Sequence, residues 1–575
     1  MLIYNTDIAE IFDEMADYLE IVGDNPFKIR AYLNGSRTIR GLAAELQDMV
    51  AQKEDLTDLP GIGKELAAKI IEILETGSIL ALKKLQERVP GDVIQILKFP
   101  NLGPKRVGVL YHDLNIQNLE QLKLAAQEGR IQSLPGFGKK TEEQILQAFK
   151  AYAEKEQRFK RNAVDPMAGS LQGHLKKIPG VDQVIVAGSY RRSKETVGDL
   201  DILVTAQESC SVMDGFVEYE DVVRVLSRGS TRSSVVLRSG LQVDLRRVDR
   251  QSFGAALQYF TGSQAHNIAV RKLGRQRGLK INEYGVFKFE DRVGGETEAS
   301  VYEAIGLSFI PPELRENRGE IEASRKNSLP DLIEVKDLKG DLHVHTRASD
   351  GRHDLEEMAR AAREQGLEYI AIAEHSKLLT FASGLDAARL EAQIDKIDRL
   401  NEKLKDITIL KSIEVDILAN GRLDLPDNVL GRLDLVVGSV HSNFGLSREK
   451  QTDRILRAMD QRYFSILAHP SGRLINEREP YQVDMEKIIA GAFERGCFLE
   501  LNSNPKRLDL IDVYCQIAKD RGVLIAINTD AHSTKDFDNL RFGIGQGRRG
   551  WLEKKDVLNT RPLGELRRLL KRTMG

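Results

Sequence analysis

Two carboxylates one residue apart, Asp199 and Asp201, open the run DLDILV, a short distance after the pair Gly188 and Ser189. Side chains at i and i+2 of a strand project from the same face, so the two carboxylates present hard oxygen ligands along one edge, as magnesium or manganese requires. A third must come from a neighbouring strand, and Asp244 in the alternating stretch LQVDLRRV is the expected source. Such a trio can hold two metal ions about 4 Å apart, one activating a hydroxyl and the other stabilising a leaving pyrophosphate. Gly188 and Ser189 end the apolar run VIVA, so their backbone N–H groups can meet a triphosphate, with Arg191 and Arg192 close behind. The chemistry implied is nucleotidyl transfer. Arg246, two residues from Asp244 on the same strand face, is a candidate phosphate contact. The segment from Arg224 to Arg250 holds seven arginines and no lysine, a bias suited to bidentate phosphate binding.

A second constellation lies beyond residue 335, where seven of the ten histidines fall. Apolar strands end in DLHVH, YIAIAEH, ITILKSIE, LDLVVGSVH, YFSILAH, CFLELN and VLIAINTDAH, with helical stretches such as LEEMARAAREQG between them. Near-continuous apolar strands separated by helices predict parallel β/α units closing into a (β/α)7 barrel, with polar ligands at the strand C-terminal ends. His343, His345, Asp350, His375, Glu414, His441, His469, Asp530 and His532 are the candidate ligands. Nine mixed His and carboxylate donors exceed one coordination sphere, so two or three manganese, zinc or iron(II) ions are expected.

The elements that position these groups follow from periodicity. Residues 1–90 read as amphipathic helices, and LPGIGK, FPNLGPK and LPGFGKK recur ahead of helical runs. Each turn exposes backbone N–H groups that can bind a DNA phosphate without reading sequence, at Gly61, Gly63, Lys64, Gly103, Gly136 and Gly138. The middle copy, with Asn101 and Pro104 around one glycine, is the weakest. Residues 313–334, rich in charge and proline, read as a linker.

The motif GSYRRSKETVGDLD, with YFTGS at 259–263 and INEYG at 281–285, resembles the family X DNA polymerases, the group of DNA polymerase beta. The three turns resemble helix-hairpin-helix motifs. The region 335–575 resembles the polymerase and histidinol phosphatase (PHP) family of metal-dependent phosphoesterases. The implied fold is multidomain, α+β and α/β. It comprises a helical DNA-binding domain (1–90), helix-hairpin-helix fingers (91–155), a palm (156–245), a nucleotide-selecting thumb subdomain (246–312), the linker, and the PHP barrel (335–575). The resemblance implies triphosphate contacts at Ser189, Arg192 and Gly198. It places Tyr259, Phe260 and Gly262 at the sugar, hence a preference for deoxynucleotides, and Asn267 and Arg271 at the base-pair minor groove. Lys69 occupies the position of a lyase nucleophile that removes a 5′ sugar-phosphate, with Lys28, Lys64 and Tyr32 around it. Glu65 would favour the ammonium form, so phosphate contact by a solvated Lys69 is the preferred reading. A monovalent cation at the hairpins is a further expectation.

Together these point to gap filling in DNA repair with manganese-dependent 3′ to 5′ exonuclease, or abasic-site incision, in the barrel. A purely structural barrel and a small-molecule phosphatase are the alternatives. The expected partners are gapped or nicked duplex DNA and deoxynucleoside triphosphates, and a monomer is expected. The net charge of −2 confines DNA-binding surfaces to local clusters. Cys210, Cys497 and Cys515 have no metal-like spacing, and no apolar run or basic leader marks a membrane or secreted protein. A cytoplasmic protein is expected.

Overall fold

The computed structural model describes residues 5–42, 46–99, 102–156 and 158–574. The chain forms two compact units, Met1–Gln157 and Arg158–Gly575. Among the described residues, no helix is long and apolar enough to cross a membrane.

The first unit is helical. Ile8, Phe12, Met15 and Leu19, spaced three to four residues apart on the helix Asn5–Ile21, are buried. The helix Pro26–Gly41 starts where Asn25 accepts a hydrogen bond from the Phe27 N–H and proline fills the first turn. Segments 1–90 and 91–155, expected as separate domains, share one apolar core running from Ile8 to Phe149. They meet where the helix Pro104–Leu114 crosses Asn5–Ile21, so closely that a Cβ on Gly108 would lie 3.0 Å from the Ile21 carbonyl oxygen.

The second unit opens with a five-stranded sheet in the order Val181–Val186, Asp199–Ala206, Gln242–Arg247, Arg232–Leu237, Val222–Arg228. Only Asp199–Ala206 and Gln242–Arg247 run parallel. The helices Phe253–Thr261 and Gln264–Gln276 follow, then a three-stranded antiparallel sheet and the helix Glu298–Ala304.

The expected linker is folded. Leu314, Arg315 and Glu320 are fully buried. Arg315 donates to the Ile310 carbonyl at 2.8 Å and to Glu298 at 2.7 Å, while Glu320 lies 2.7 Å from His266 Nδ1. Charge density suggests solvent exposure only when the partners are unknown, and here paired hydrogen bonds offset the desolvation of each charge.

In the C-terminal region all strand pairs are parallel. One three-stranded sheet holds Gly340–Val344, Tyr369–Ile372 and Thr408–Lys411. A five-stranded sheet holds Glu414–Asp416, Val437–Ser439, Ile466–Leu467, Phe498–Asn502 and Ile525–Asn528. The expected third strand is thus split between the two sheets. Bridges His375–Glu414 and Val344–Ala531 link the sheets at their two seams, so the successive strands follow one another round a ring.

Candidate active sites

The parallel pairing of Asp199–Ala206 with Gln242–Arg247 sets Asp201 directly opposite Asp244, and Asp199 is two residues along the same face. Gly188, at φ +63°, lies against this pair, and a Cβ there would approach Asp201 Oδ2 to 2.7 Å, so the close turn requires glycine. Asp244 accepts from Arg232 Nη2 at 3.2 Å and Gln242 Nε2 at 3.3 Å. Burial, then the charges of Asp199 and Asp244, push the Asp201 pKa up to about 7 against the opposing pull of Arg246 and Arg192. Carboxylates that repel one another at this spacing fit a divalent cation. If a divalent cation enters here it must displace the Asp201 proton, so the apparent affinity of this edge for the cation should rise about tenfold per pH unit up to pH 7 and flatten above it. Titrations of divalent metal at stepped pH measure this, and a pH-independent midpoint would refute it.

Other expected contacts fall around this edge. The Arg246 guanidinium lies 4.3 Å from the Phe260 ring centre, and Arg271 lies 5.9 Å from that of Tyr259. Asn267 donates to the Tyr259 carbonyl at 2.7 Å and accepts from Gln258 at 2.9 Å, which fixes the helix turn leading to Gly262. Gly198 abuts Arg158. Arg192, expected on a triphosphate, instead holds Glu316 at 3.0 Å and donates to the Thr261 carbonyl.

In the first unit, Gly61 and Gly136 adopt φ of +78° and +81°, and Gly63, Gly103 and Gly138 begin helices. Among the described residues, no atom lies within 4 Å of a Cβ built on Gly63, Gly103, Gly136 or Gly138, so these turns leave room for a ligand. Asn101 of the middle copy lies outside the described residues. Lys69 is bound to Glu72 at 2.6 Å, and Lys28 pairs with Asp24 at 3.4 Å. Tyr32 is buried against Phe12.

The nine C-terminal ligands converge. Three groups of donor atoms lie within a metal's reach of one another: His345, Asp350, His375 and His532; His343, His345 and Asp530; and His375, Glu414 and His441. Glu414 sits at the centre, with Oε2 2.6 Å from His375 Nδ1 and Oε1 2.9 Å from His469 Nε2 and 3.3 Å from His441 Nε2. His343 Nε2, His345 Nδ1 and Nε2, and Glu414 Oε2 are buried without hydrogen-bond partners. Buried imidazole nitrogens and carboxylate oxygens crowded together with unmet hydrogen-bonding capacity fit divalent cations. Burial works against charging His375, yet Glu414 and Asp350 hold its pKa at about 10. Burial and the neighbouring imidazoles of His532 and His375 push His345 down to about 3.

Several functional residues escaped the sequence reading. His343 Nδ1 lies 2.7 Å from Glu500 Oε1, which leaves Nε2 facing the other ligands, and Glu500 also accepts from the His469 N–H at 2.8 Å. Asp416 lies 3.3 Å from His441 Nδ1. Arg507 stands 3.7 Å from Asp530 at the rim. Glu500 and Asp416 were detectable as carboxylates inside otherwise apolar strands, where an unpaired charge is costly.

A palm edge of paired aspartates and a histidine-lined β/α ring on one chain define a nucleotidyltransferase joined to a phosphoesterase. The family models agree. The DNA polymerase beta palm matches residues 158–257 and its thumb 256–316, a helix-hairpin-helix domain matches 3–79, a SAM-like helix-hairpin-helix tandem 93–151, and the PHP domain 341–530. The chain belongs to the bacterial family X DNA polymerases that carry a PHP domain. It is 38% identical over 576 residues to the DNA polymerase/3'-5' exonuclease PolX of Bacillus subtilis (strain 168), covering 99% of this chain and 100% of that protein. DNA polymerase lambda of Rattus norvegicus is 26% identical over 54% of the chain and 56% of its own length. A probable phosphatase of Thermoanaerobacter sp. (strain X514) is 30% identical over 40% of the chain and 94% of its own length. The chain is thus an enzyme that binds DNA and nucleotides and uses divalent metals.

Proposed function

We propose that the chain fills short gaps in duplex DNA from deoxynucleoside triphosphates and also degrades DNA from the 3′ end. The observation that carries this reading is the presence of two separate donor sets: the aspartates paired across the palm strands, and the eight clustered candidate ligands of the C-terminal ring with His469 beside Glu414. In the palm, Asp199, Asp201 and Asp244 hold magnesium or manganese, which supplies charge neutralisation at the attacking and leaving oxygens. Gly188, Ser189, Arg192 and Gly198 receive the triphosphate. Tyr259, Phe260 and Gly262 crowd the sugar and exclude a 2′ hydroxyl. Asn267 and Arg271 follow the minor groove, and Arg246 steadies the DNA backbone.

In the ring, the nine ligands hold two or three manganese, zinc or iron(II) ions, which supply Lewis acidity and an acidified water for phosphodiester cleavage. Manganese is the preferred ion, and abasic-site incision is a second activity of the same centre. The resemblance of this region to a probable phosphatase also favours testing a small-molecule substrate, and hydrolysis of histidinol phosphate against DNA separates the two. Fusion to DNA-binding units supports DNA as the substrate. The protein acts as a monomer on gapped or nicked DNA in the cytoplasm, in base excision repair. The experiment is a single gel with purified protein, a 5′-labelled gapped duplex and manganese, with or without deoxynucleotides. Extension in one lane and shortening in the other are expected, and absence of either removes the corresponding half of the reading.

The hairpins bind backbone phosphate, with a monovalent cation completing the turns. DNA affinity should therefore fall with salt at about 0.7 to 0.9 log units per neutralised phosphate for each log unit of salt. Titrations across a salt series check this, and salt-independent affinity would contradict it. Lys69 contributes charge to phosphate binding, so Lys69→Ala should weaken DNA binding without removing a lyase step.

A further inference from the structure

A cavity of about 380 Å³ lies between the palm and the PHP ring, opening beside Ser189 and Arg192. Its wall carries five cations: Arg158, Arg192 and Lys194 from the palm side, and Arg473 and Arg549 from the ring. Glu195 and Asp512 are the acidic side chains in the same wall. The acids are already shared. Glu195 takes both terminal nitrogens of Arg473, at 3.1 and 2.6 Å. Asp512 is divided between Arg549 at 2.6 Å and Arg318 at 2.9 Å. Glu316, just behind the wall, meets Arg549 at 2.8 Å and Arg192 at 3.0 Å, leaving Lys194 with a carboxylate at 3.8 Å.

Positive charge is therefore in excess, and some donors remain available. Arg158 donates to the Thr196 carbonyl at 2.6 Å and to Thr196 Oγ1 at 2.8 Å, and it makes no ion pair among the described residues. Arg473 Nε is buried without a hydrogen-bond partner. Clustered cations that outnumber their acids in a half-closed space lower one another's stability and create a site for a polyvalent anion. Burial, with Arg549 and Arg192 nearby, pulls the Lys194 pKa below its usual value despite Glu316, consistent with that excess.

We propose that this cavity is a condensed-phosphate site, shared by palm and ring, that takes the terminal phosphates of an incoming nucleotide and then the released pyrophosphate. The proposal rests on the reading of Gly188–Arg192 as the triphosphate turn. It extends that turn by a residue from another domain: Arg473 of the phosphoesterase becomes a nucleotide contact of the polymerase, beside Lys194 of the palm. Glu316 is the competing anion. Phosphate arriving at Arg192 displaces it, and Glu316 then falls wholly to Arg549, which frees Lys194 for the phosphate and communicates occupancy of the palm to the ring helix Leu540–Arg549.

The test uses the full chain and inorganic pyrophosphate as probe. Calorimetry in chelator, where neither metal centre can hold the probe, should show one site. Binding should weaken about tenfold in each of Lys194→Gln and Arg473→Gln, the loss of one charge-assisted contact. In gap filling, both variants should raise the deoxynucleotide KM and the pyrophosphate inhibition constant in parallel. Thermal unfolding shows whether each variant is folded, and if Arg473→Gln is not, Lys194→Gln decides the matter alone. Two further variants, Ser189→Ala and Arg192→Gln, report on the turn itself. If these raise the KM while Lys194→Gln leaves both KM and pyrophosphate binding unchanged, the cavity proposal fails and the turn stands. If the turn variants have no effect on KM, the triphosphate reading fails and takes the cavity proposal with it.

Discussion

Asp201→Ala should abolish gap filling, by at least about 10³-fold, the rate equivalent of the several kcal/mol that a catalytic ion supplies to transition-state charge. The effect is large because Asp201 faces Asp244 across adjacent parallel strands, at the centre of the carboxylate edge. Stability should move the other way. A carboxyl whose pKa is raised to about 7 by burial and by Asp199 and Asp244 is a destabilising charge in the cation-free fold. The unfolded chain gives up this proton near its ordinary value of 3.8 while the folded chain keeps it to about 7, so stability falls as pH rises through that window. Alanine removes this dependence, and the melting temperature of the metal-free variant at pH 8 should equal or exceed that of the parent. A variant that still fills gaps while binding DNA normally would mean the metal ligands lie elsewhere.

The second large effect belongs to the PHP ring. His343→Ala, His441→Ala and Glu414→Gln should each lower DNA hydrolysis by about 10³-fold or more while gap filling persists, because the two donor sets lie on different sheets. Glu414→Gln should be the most severe, since its two oxygens together approach His375, His441 and His469. Glu500→Gln should have an intermediate effect, about 10- to 100-fold, because Glu500 orients His343 without facing the ions itself. Measured metal content separates the classes: the ligand variants lose bound metal, and Glu500→Gln binds it more weakly. Hydrolysis at the parent rate by folded His343→Ala and His441→Ala protein would remove the ring from the nuclease role.

The ligands of the ring were legible because a parallel β/α repeat delivers strand C-terminal ends to one place, so histidines at successive ends must converge. The same logic failed for Glu500 and Asp416. The strand Phe498–Asn502 that carries Glu500 holds none of the nine candidates, Asp416 stands two residues beyond Glu414, and their partners, His343 and His441, are read from other segments of the chain. The strap at 313–334 was misread for a related reason. Its charges look solvated until Arg315 meets Glu298 and Glu320 meets His266, contacts that span 17 and 54 residues.

Residue type and spacing were enough to determine the chemistry: alternating aspartates behind a Gly-Ser turn, three glycine turns ahead of helices, and histidines at regular strand ends. These are local patterns, and strand or helix periodicity sets their direction without help from the rest of the chain. Which groups are neutralised, and by whom, was decided only in three dimensions. Arg192 carries the same sequence signature whether it awaits a triphosphate or holds Glu316, and the cationic cavity between palm and ring has no signature at all, because its wall is drawn from segments nearly four hundred residues apart. Ion pairing is a property of distance in space, and a charge's position along the chain carries no information about which opposite charge will lie within 4 Å of it.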